Sequence, residues 1–241
     1  MKFNPILLNM QPRNIHECIN SIRENVKIPK VWFRAFTEEQ VMYEMNCFIE
    51  STNYSHYIIN ADDVIVYKDS MDVILKYAQM DEYEVVTGWM NMHLDDRENK
   101  YWDNSIGEYV FFREENCLSK DSTVQFGNFP APKDINGPVR SEYPPKMSVE
   151  DVLNSPKEIM QTSMAPFAMS CARRELFMRF PLQTHLNGVS SDHHFSYRLQ
   201  KAGIKVWTHP DAFIKHMRKG WSPLRSNWLV GKIKPEIIKE L

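Results

Sequence analysis

Apolar and polar positions alternate in two different ways along the first third of the chain. Short apolar runs, which predict buried strands, lie at residues 5–10, 30–36, 56–60 and 83–94. Segments whose apolar residues recur every three or four positions, which predict helices, lie at residues 14–25, 37–52 and 70–80. Asn14 and Thr37 are the expected N-caps of the first two helices. Strands that alternate with helices predict an α/β fold with a mostly parallel sheet and helices on both faces.

The pattern weakens in the middle of the chain and returns after it. Residues 128–146 are rich in Pro, Asn, Asp and Gly, which is typical of a loop, and a short helix is predicted at 148–156. Further on, the pattern predicts a strand at 165–172, helices at 173–180 and 190–203, and strands at 204–210 and 212–217. We therefore predict one domain over residues 1–217, irregular at 95–165, followed by a tail or lid at 218–241. Within the tail we expect a surface helix that Pro235 interrupts.

Composition excludes several classes of function. The 241 residues are 43% hydrophobic and 25% charged, which is ordinary for a soluble globular protein. A formal charge of -2 argues against a nucleic-acid partner, since binding to phosphates requires a basic face. No apolar run reaches the length of a membrane span, and the run near the N-terminus is too short for a signal peptide. The eight glycines form no phosphate-binding motif.

The cysteines favour a reducing compartment. Four of them are widely spaced and form no CxxC pair: Cys18, Cys47, Cys117 and Cys171. This spacing predicts buried thiols in a cytoplasmic protein rather than a disulfide or zinc framework.

Asn60, Asp62 and Asp63 stand at the end of a predicted strand, in "IINADD". Open α/β sheets bind ligands at the carboxyl ends of their parallel strands. Carboxylates in that position can hold a divalent metal, which in turn can neutralise a pyrophosphate. The alternative is that the acidic pair forms a turn or an N-cap.

Asp192 lies in the first turn of a predicted helix. Ser190 or Ser191 is the expected N-cap of this helix, and Gly203 is expected to end it in a left-handed conformation. One interpretation is a carboxylate placed there by the helix dipole. The other is a general base that takes a proton from an acceptor hydroxyl.

His216 follows a strand-like run, where a histidine is either packed or offers a neutral nitrogen to a metal. A second arrangement would form a metal cluster from Asp192, His193 and His194 together with Asp62. We favour the single histidine, because adjacent residues on a helix point in different directions. The stretch from His93 to Asp96 is either a further ligand patch or a solvated loop.

The order of these features resembles that of the GT-A glycosyltransferases, particularly the inverting enzymes of family 2. The resemblance covers roughly residues 3–95 and 165–217. "YEMNCFIESTNYSHYIINADDVIV" is similar to the family's segment that ends in a DxD motif, with Asn60-Ala61-Asp62 in the place of that motif. "PFAMSCARRELF" and "SSDHHFSYRLQKAGIKVWTHPDAFIKHM" are similar to its later strand, helix and histidine.

The resemblance implies a GT-A fold and a metal-dependent inverting transfer from a nucleotide-diphosphate sugar to a hydroxyl of a glycan, lipid or protein. Asp62 and His216 would bind Mn²⁺ or Mg²⁺, and Asn60, Asp62 and Asp63 would contact the donor. Asp192 would be the general base. The irregular region at 95–165 would form the acceptor side.

The chain also departs from the family pattern. Asn60 carries no charge, Ser191 replaces an acidic residue, and the acid that normally follows the second strand has no clear match except Glu38 or Glu39. These departures motivate a second hypothesis, a degenerate GT-A scaffold that binds a nucleotide or glycan without catalysis. A third, a metal phosphoesterase or nucleotidyltransferase, would need two metals and more clustered carboxylates. The lysines and isoleucines of the tail leave a peripheral membrane contact open.

Overall fold

A computed structural model of the chain describes residues 2–10, 15–34, 38–90, 156–162, 164–183, 191–216 and 236–240, together with four two-residue strands between residues 102 and 138. The side chains of residues 193, 216 and 236–238, and those of the four short strands, are outside the description. Several sequence predictions lie outside the described residues as well: the caps Thr37 and Ser190, the patch His93–Asp96, Cys117, and most of the helix at 148–156.

Fourteen strands occur in the described residues. They are β1 (Pro5–Met10), β2 (Lys30–Arg34), β3 (His56–Asn60), β4 (Val64–Ile65), β5 (Val85–Trp89), β6 (Trp102–Asp103), β7 (Glu108–Tyr109), β8 (Lys133–Asp134), β9 (Gly137–Pro138), β10 (Met160–Thr162), β11 (Met169–Arg173), β12 (Val206–Phe213), β13 (Lys215–His216) and β14 (Glu236–Glu240). Eight of them form one sheet in the order β10-β12-β5-β11-β3-β1-β2-β14. The other six form three small sheets, β4 with β13, β6 with β7, and β8 with β9.

The main sheet is mixed, so the expectation of a mostly parallel sheet is only partly right. Strands β3, β1 and β2 are parallel to one another, and so are β5 and β12. The antiparallel β11 lies between these two groups. The outer strands β10 and β14 are also antiparallel to their neighbours. All five strands of the two parallel groups run in the same direction, and their carboxyl ends therefore lie along one edge of the sheet.

Helices cover both faces of the sheet, as the alternating pattern predicts. The helices are α1 (His16–Asn25), α2 (Glu38–Ser51), α3 (Lys68–Ala78), α4 (Arg174–Arg179) and α5 (Ser191–Lys201). Side chains of a strand alternate between faces. In β1, Leu7 therefore packs in the cluster that contains α1 and α3, whereas Ile6 and Leu8 pack in the cluster that contains α2, α4 and α5. Helices thus pack against both faces of the sheet in two buried clusters, which confirms the α/β class.

The start of α1 and the end of α5 can be compared with the predicted capping residues. Helix α1 follows Ile15, which makes no side-chain capping hydrogen bond, and the predicted cap Asn14 lies outside the described residues. At the end of α5, Gly203 has φ of 74°, which confirms the predicted left-handed stop.

The strand predicted at 204–210 and the start of the one predicted at 212–217 form a single strand with an irregularity, and the second prediction continues into the separate β13. β12 runs from Val206 to Phe213, and its register with β5 shifts between Thr208 and Phe213. Trp89 of β5 donates its indole N–H to the carbonyl of Pro210 across this shift, at 2.9 Å. Pro210 therefore interrupts the pairing without ending the strand, in agreement with the preference of proline for bulges.

Residues 236–240 form a strand of the main sheet, and the surface helix predicted for them is wrong. β14 pairs with β2 along its whole length, from Glu236 opposite Arg34 to Glu240 opposite Lys30. Contacts on both faces hold it: the Lys239 ammonium lies 5.3 Å from the ring centre of Phe48, and Arg23 forms a 2.8 Å ion pair with Glu240. The missed signal is the β-branched pair "II", since β2 would otherwise leave its outer hydrogen-bonding groups unpaired.

Ending the chain after Pro235 should therefore destabilise the protein. Removal of β14 exposes the outer edge of β2, and we expect the free energy of unfolding to fall by about 2–4 kcal/mol, measured by urea denaturation. Glu240→Gln is the matched control. It keeps the strand and removes only a largely exposed ion pair, so it should cost less than about 1 kcal/mol. Equal losses in the two variants would contradict a structural role for the strand.

His56 is a buried titratable group at the amino end of β3. It is 9% exposed, its Nδ1 lies 3.0 Å from the hydroxyl of Ser55, and its ring meets the edge of Phe3. Burial, followed by the positive charge of Arg173, lowers the pKa of His56 from 6.5 to about 4. The folded protein therefore holds this histidine neutral in a range where the unfolded chain binds a proton.

This shift predicts a specific loss of stability in acid. The contribution of His56 is fully present above pH 6.5 and is lost as the pH falls from 6.5 towards 4, by up to about 3 kcal/mol. We expect wild type to lose more stability than His56→Gln between pH 7.5 and pH 4.5 in chemical denaturation. His16, which is exposed, supplies the control: His16→Gln should keep the pH dependence of wild type.

Candidate functional site

The carboxyl ends of β3 and β12 are joined by the small sheet of β4 and β13. Immediately after β3 the chain turns through Asp62 and Asp63 into β4, and β13 follows β12 after a single residue. The two short strands are antiparallel, with His216 opposite Val64. The backbone of His216 is thus paired with the residue that follows Asp63. Two features that are far apart in the sequence, the acidic strand end and the late histidine, meet at one edge of the sheet.

Asp62 and Asp63 are both buried, at 2% and 4% exposure. Two adjacent buried carboxylates are costly unless partners or a cation compensate their charge, and each of these does make contacts within the protein. Carboxylate oxygens and an imidazole nitrogen are suitable ligands for Mn²⁺ or Mg²⁺, so the residue types fit a divalent metal. Among the described side chains, which exclude that of His216, no group of three or more His, Cys, Asp and Glu could hold an ion.

Asn60 is fully buried, and both ends of its amide are bonded within the protein. Its Oδ1 accepts a short hydrogen bond from Nδ2 of Asn9, and its own Nδ2 donates to the carbonyl of Ala168 at 2.7 Å. Asn9 is its register partner on β1, and Ala168 immediately precedes β11. Asn60 therefore links β1, β3 and the entry to β11. A contact between Asn60 and a donor stays a prediction.

This arrangement makes Asn60→Asp destabilising, although the change introduces the acidic residue that the resemblance to GT-A enzymes implies at this position. The new oxygen would face the carbonyl of Ala168, and a charge would be buried. We expect a loss of about 2–4 kcal/mol in unfolding free energy at pH 8. Burial raises the pKa of such a carboxyl, so the loss should shrink at pH 5 as protonation restores a donor. Asn53→Asp, at an exposed position just before β3, is the control and should be close to neutral.

Asp192 lies in the first turn of α5, as predicted, and is half-buried. The hydroxyl of Ser196 donates to the carbonyl of Asp192 at 2.6 Å and accepts the backbone N–H of Ala165 at 2.9 Å. Ala165 belongs to the segment that enters β11, and the carbonyl of Ala168 in that segment is bonded to Asn60. The turn that carries Asp192 is thus connected to the same edge of the sheet as Asp62.

Ser191 and Glu38 contact each other. The Ser191 hydroxyl, on a residue that is 2% exposed, donates to a carboxylate oxygen of Glu38. Glu38 is the first residue of α2, and the starts of α2 and α5 are therefore adjacent. Ser191 stands where the resemblance expects an acid, and this contact brings a carboxylate to it from another helix. Sequence patterns name both residues but cannot pair them, because the contact joins two distant segments.

The other histidines of this region have separate environments. Burial, and then the charge of Arg198, lower the pKa of the half-buried His194. His209 accepts the N–H of Asp211 through Nδ1 at 3.1 Å, and its Nε2 lies 3.0 Å from the carbonyl of Lys157. Both nitrogens of His209 therefore have partners. The side chain of His193 and the whole of His185 lie outside the description.

None of the helices in the described part of the chain is long and apolar enough to cross a bilayer. Cys18 and Cys171 are buried and not disulfide-bonded, as predicted, whereas Cys47 is half-buried and also not disulfide-bonded. Burial strongly raises the pKa of the Cys171 thiol, which keeps it protonated and unreactive.

Comparison with known proteins adds little to this geometry. No protein-family model matches the chain, and no curated protein matches it. Among solved structures, the crystal structure of A197 from STIV is similar, with 11% identity and a TM-score of 0.47 over 89% of this chain and 94% of A197. A likeness at this level does not bear on function.

Proposed function

We propose that this chain is a metal-dependent inverting glycosyltransferase of the GT-A type, which transfers a sugar from a nucleotide-diphosphate sugar to a hydroxyl acceptor. The observation that supports the proposal most directly is the pairing of His216 with Val64, beside the buried Asp62 and Asp63. Asp192 lies on a helix whose first turn is connected to the same edge of the sheet. The proposal includes the cytoplasmic location that the spacing of the cysteines predicts.

In this proposal the donor binds at the acidic strand end. Asp62 and His216 would hold Mn²⁺ or Mg²⁺, and Asp63 would assist from the same turn. The cation, when bound, supplies the positive charge that a departing diphosphate requires. The burial of the carboxylates keeps water away from them, which strengthens their interaction with a cation.

Asp192 would act on the acceptor. Its carboxylate would take the proton of the acceptor hydroxyl while that oxygen forms a bond to the anomeric carbon. The bond between this carbon and the diphosphate oxygen breaks at the same time, and the nucleoside diphosphate leaves with the bonding electrons. Attack from the opposite side inverts the anomeric centre. One base and one cation site are sufficient for this single displacement.

A degenerate scaffold that binds nucleotide or glycan without transfer is the second candidate. One contact favours it: the amide of Asn60 is bonded on both sides within the sheet. This candidate predicts binding of a nucleotide without release of the nucleoside diphosphate from a nucleotide sugar. A two-metal phosphoesterase has less support, since the described residues hold no larger carboxylate cluster.

The first test separates donor binding from turnover. We expect calorimetry with UDP, GDP, CDP and dTDP to find one nucleotide that binds with Mn²⁺ and loses at least tenfold in affinity with EDTA or in Asp62→Asn. The matching nucleotide sugars should release the nucleoside diphosphate with wild type, with water taking the sugar when no other acceptor is supplied. Asp192→Asn should retain nucleotide affinity within about twofold and lose 10²-fold or more in turnover, the range for loss of a general base.

The outcomes discriminate between the candidates. Binding without release from any of the sugars favours the degenerate scaffold. Binding that is equally tight in EDTA and in Asp62→Asn contradicts a metal at this position. If no nucleotide binds with or without metal, the transferase proposal fails.

A further inference from the structure

We propose that Ser196 is a positioning residue, which fixes the turn that carries Asp192 relative to the strand end that carries Asp62. The inference rests on the proposed function, since it concerns the placement of the base relative to the donor. Ser196 itself would touch neither donor nor acceptor.

The hydroxyl of Ser196 donates one hydrogen bond and accepts another. The residue is 3% exposed and lies on α5, four positions after Asp192. Its proton goes to the carbonyl of Asp192 at 2.6 Å, and its oxygen accepts the N–H of Ala165 at 2.9 Å. A serine in a helix often bonds only to the carbonyl four residues earlier. The additional bond here joins the helix to a segment outside it.

That segment, residues 164–168, is also hydrogen-bonded to β11 and to Asn60 at the end of β3. The carbonyl of Pro166 accepts the N–H of Met169 at 3.1 Å and the hydroxyl of Ser170 at 2.6 Å. The carbonyl of Ala168 accepts the amide of Asn60 at 2.7 Å. A continuous path of hydrogen bonds and four residues of backbone thus leads from Asp192 through Ser196 to Asn60, which precedes Asp62 by two residues.

Apolar packing holds α5 in place without defining this position by itself. Phe195 stacks on Phe177 of α4, with ring centres 5.4 Å apart and planes at 9°, and it also contacts Phe167 of the segment at 5.6 Å. Stacked rings tolerate sliding, whereas a hydrogen bond depends steeply on distance and angle. Phe195 and Leu199, both fully buried, therefore dock α5 by apolar packing, and Ser196 adds a directional contact to residues 164–168 beside the contact of Ser191 with Glu38.

The position of the Asp192 carboxylate should affect the rate of transfer more than the binding of the donor. A general base must lie within hydrogen-bond distance of the hydroxyl it deprotonates, and a displacement of about 1 Å can cost on the order of 10²-fold in rate. Loss of the Ser196 hydroxyl should therefore lower kcat while the donor site at Asp62 keeps its affinity. A serine with a purely structural role would lower stability alone.

The test compares Ser196→Ala with Ser55→Ala. Ser55 is a matched control, because it is 6% exposed and accepts the N–H of Asn4 at 2.7 Å, but at the opposite end of β3. The assay is release of nucleoside diphosphate from the nucleotide sugar that wild type uses, with Mn²⁺, well below the melting temperature of each variant. We expect kcat to fall 10- to 100-fold in Ser196→Ala and to stay within about twofold in Ser55→Ala. Affinity for the nucleoside diphosphate with Mn²⁺ should stay within about twofold in both.

Two further measurements make the result independent of simple unfolding. Ser196→Thr retains the hydroxyl and should recover most of kcat. Hydrogen–deuterium exchange reports on the contact without turnover: Ser196→Ala should speed exchange of the Ala165 amide and of the first turn of α5, and Ser55→Ala should not.

Failure of this inference can be told apart from failure of the proposed function. If wild type turns over and Ser196→Ala keeps the kcat of the control, the positioning role is overturned and the transferase stands. Unchanged exchange at Ala165 overturns it as well. If wild type releases no nucleoside diphosphate from any nucleotide sugar, both proposals fall together.

Discussion

The arrangement of the candidate site depends on the hydrogen bonds of one buried amide, that of Asn60. β11 lies beside β3 and is antiparallel to it. The start of β11 therefore lies at the edge of the sheet where β3 ends. Asn60 is where this happens, since its side chain bonds to Asn9 on one side and to Ala168 on the other. A buried amide left without these partners would cost more than the bonds gain, so the three chain segments are held together as a unit.

A second set of polar contacts extends this unit across the centre of the sheet. The hydroxyl of Thr87 donates to the carbonyl of Met169 at 2.7 Å and lies 3.1 Å from that of Ser170, and Thr208 donates to the carbonyl of Thr87 at 2.8 Å. These residues belong to the neighbouring strands β5, β11 and β12. Small hydroxyl side chains thus bond to backbone oxygens within an otherwise apolar interior. The strand end that carries Asp62 and the strand that leads to His216 are consequently part of one connected framework.

Local patterns in the sequence were sufficient for part of this fold. The acidic pair after β3, Asp192 in the first turn of α5 and the left-handed Gly203 each depend on a few neighbouring residues, and each lies where the pattern predicts it. The resemblance implied that Asp62 and His216 share a metal, which stays a prediction, and the structure shows the backbone of His216 paired with Val64, just after Asp63. The α/β class could be predicted because strand and helix patterns alternate along the chain. Each pattern depends only on the residues of its own segment.

What the sequence did not reveal depends on contacts between distant segments. The direction of β11 is set by its neighbours β3 and β5, and nothing inside "MSCAR" encodes it. β14 is a strand because β2 offers it an edge, whereas its own lysines and isoleucines are equally compatible with a surface helix. Ser196 looks like an ordinary helical serine until Ala165 is placed beside it.

The engagement of Asn60 bears on the choice between an active and a degenerate site. A residue that replaces an acid is usually taken as a sign of lost function, because a ligand has been removed. Asn60, however, has a structural role that a carboxylate could not fill, since its Nδ2 must donate to Ala168. Asp62 and Asp63 lie beyond it in the turn that leads into β4, which pairs with β13. The absence of charge at Asn60 is therefore explained by the sheet and does not by itself weaken the metal site that Asp62 and His216 would form.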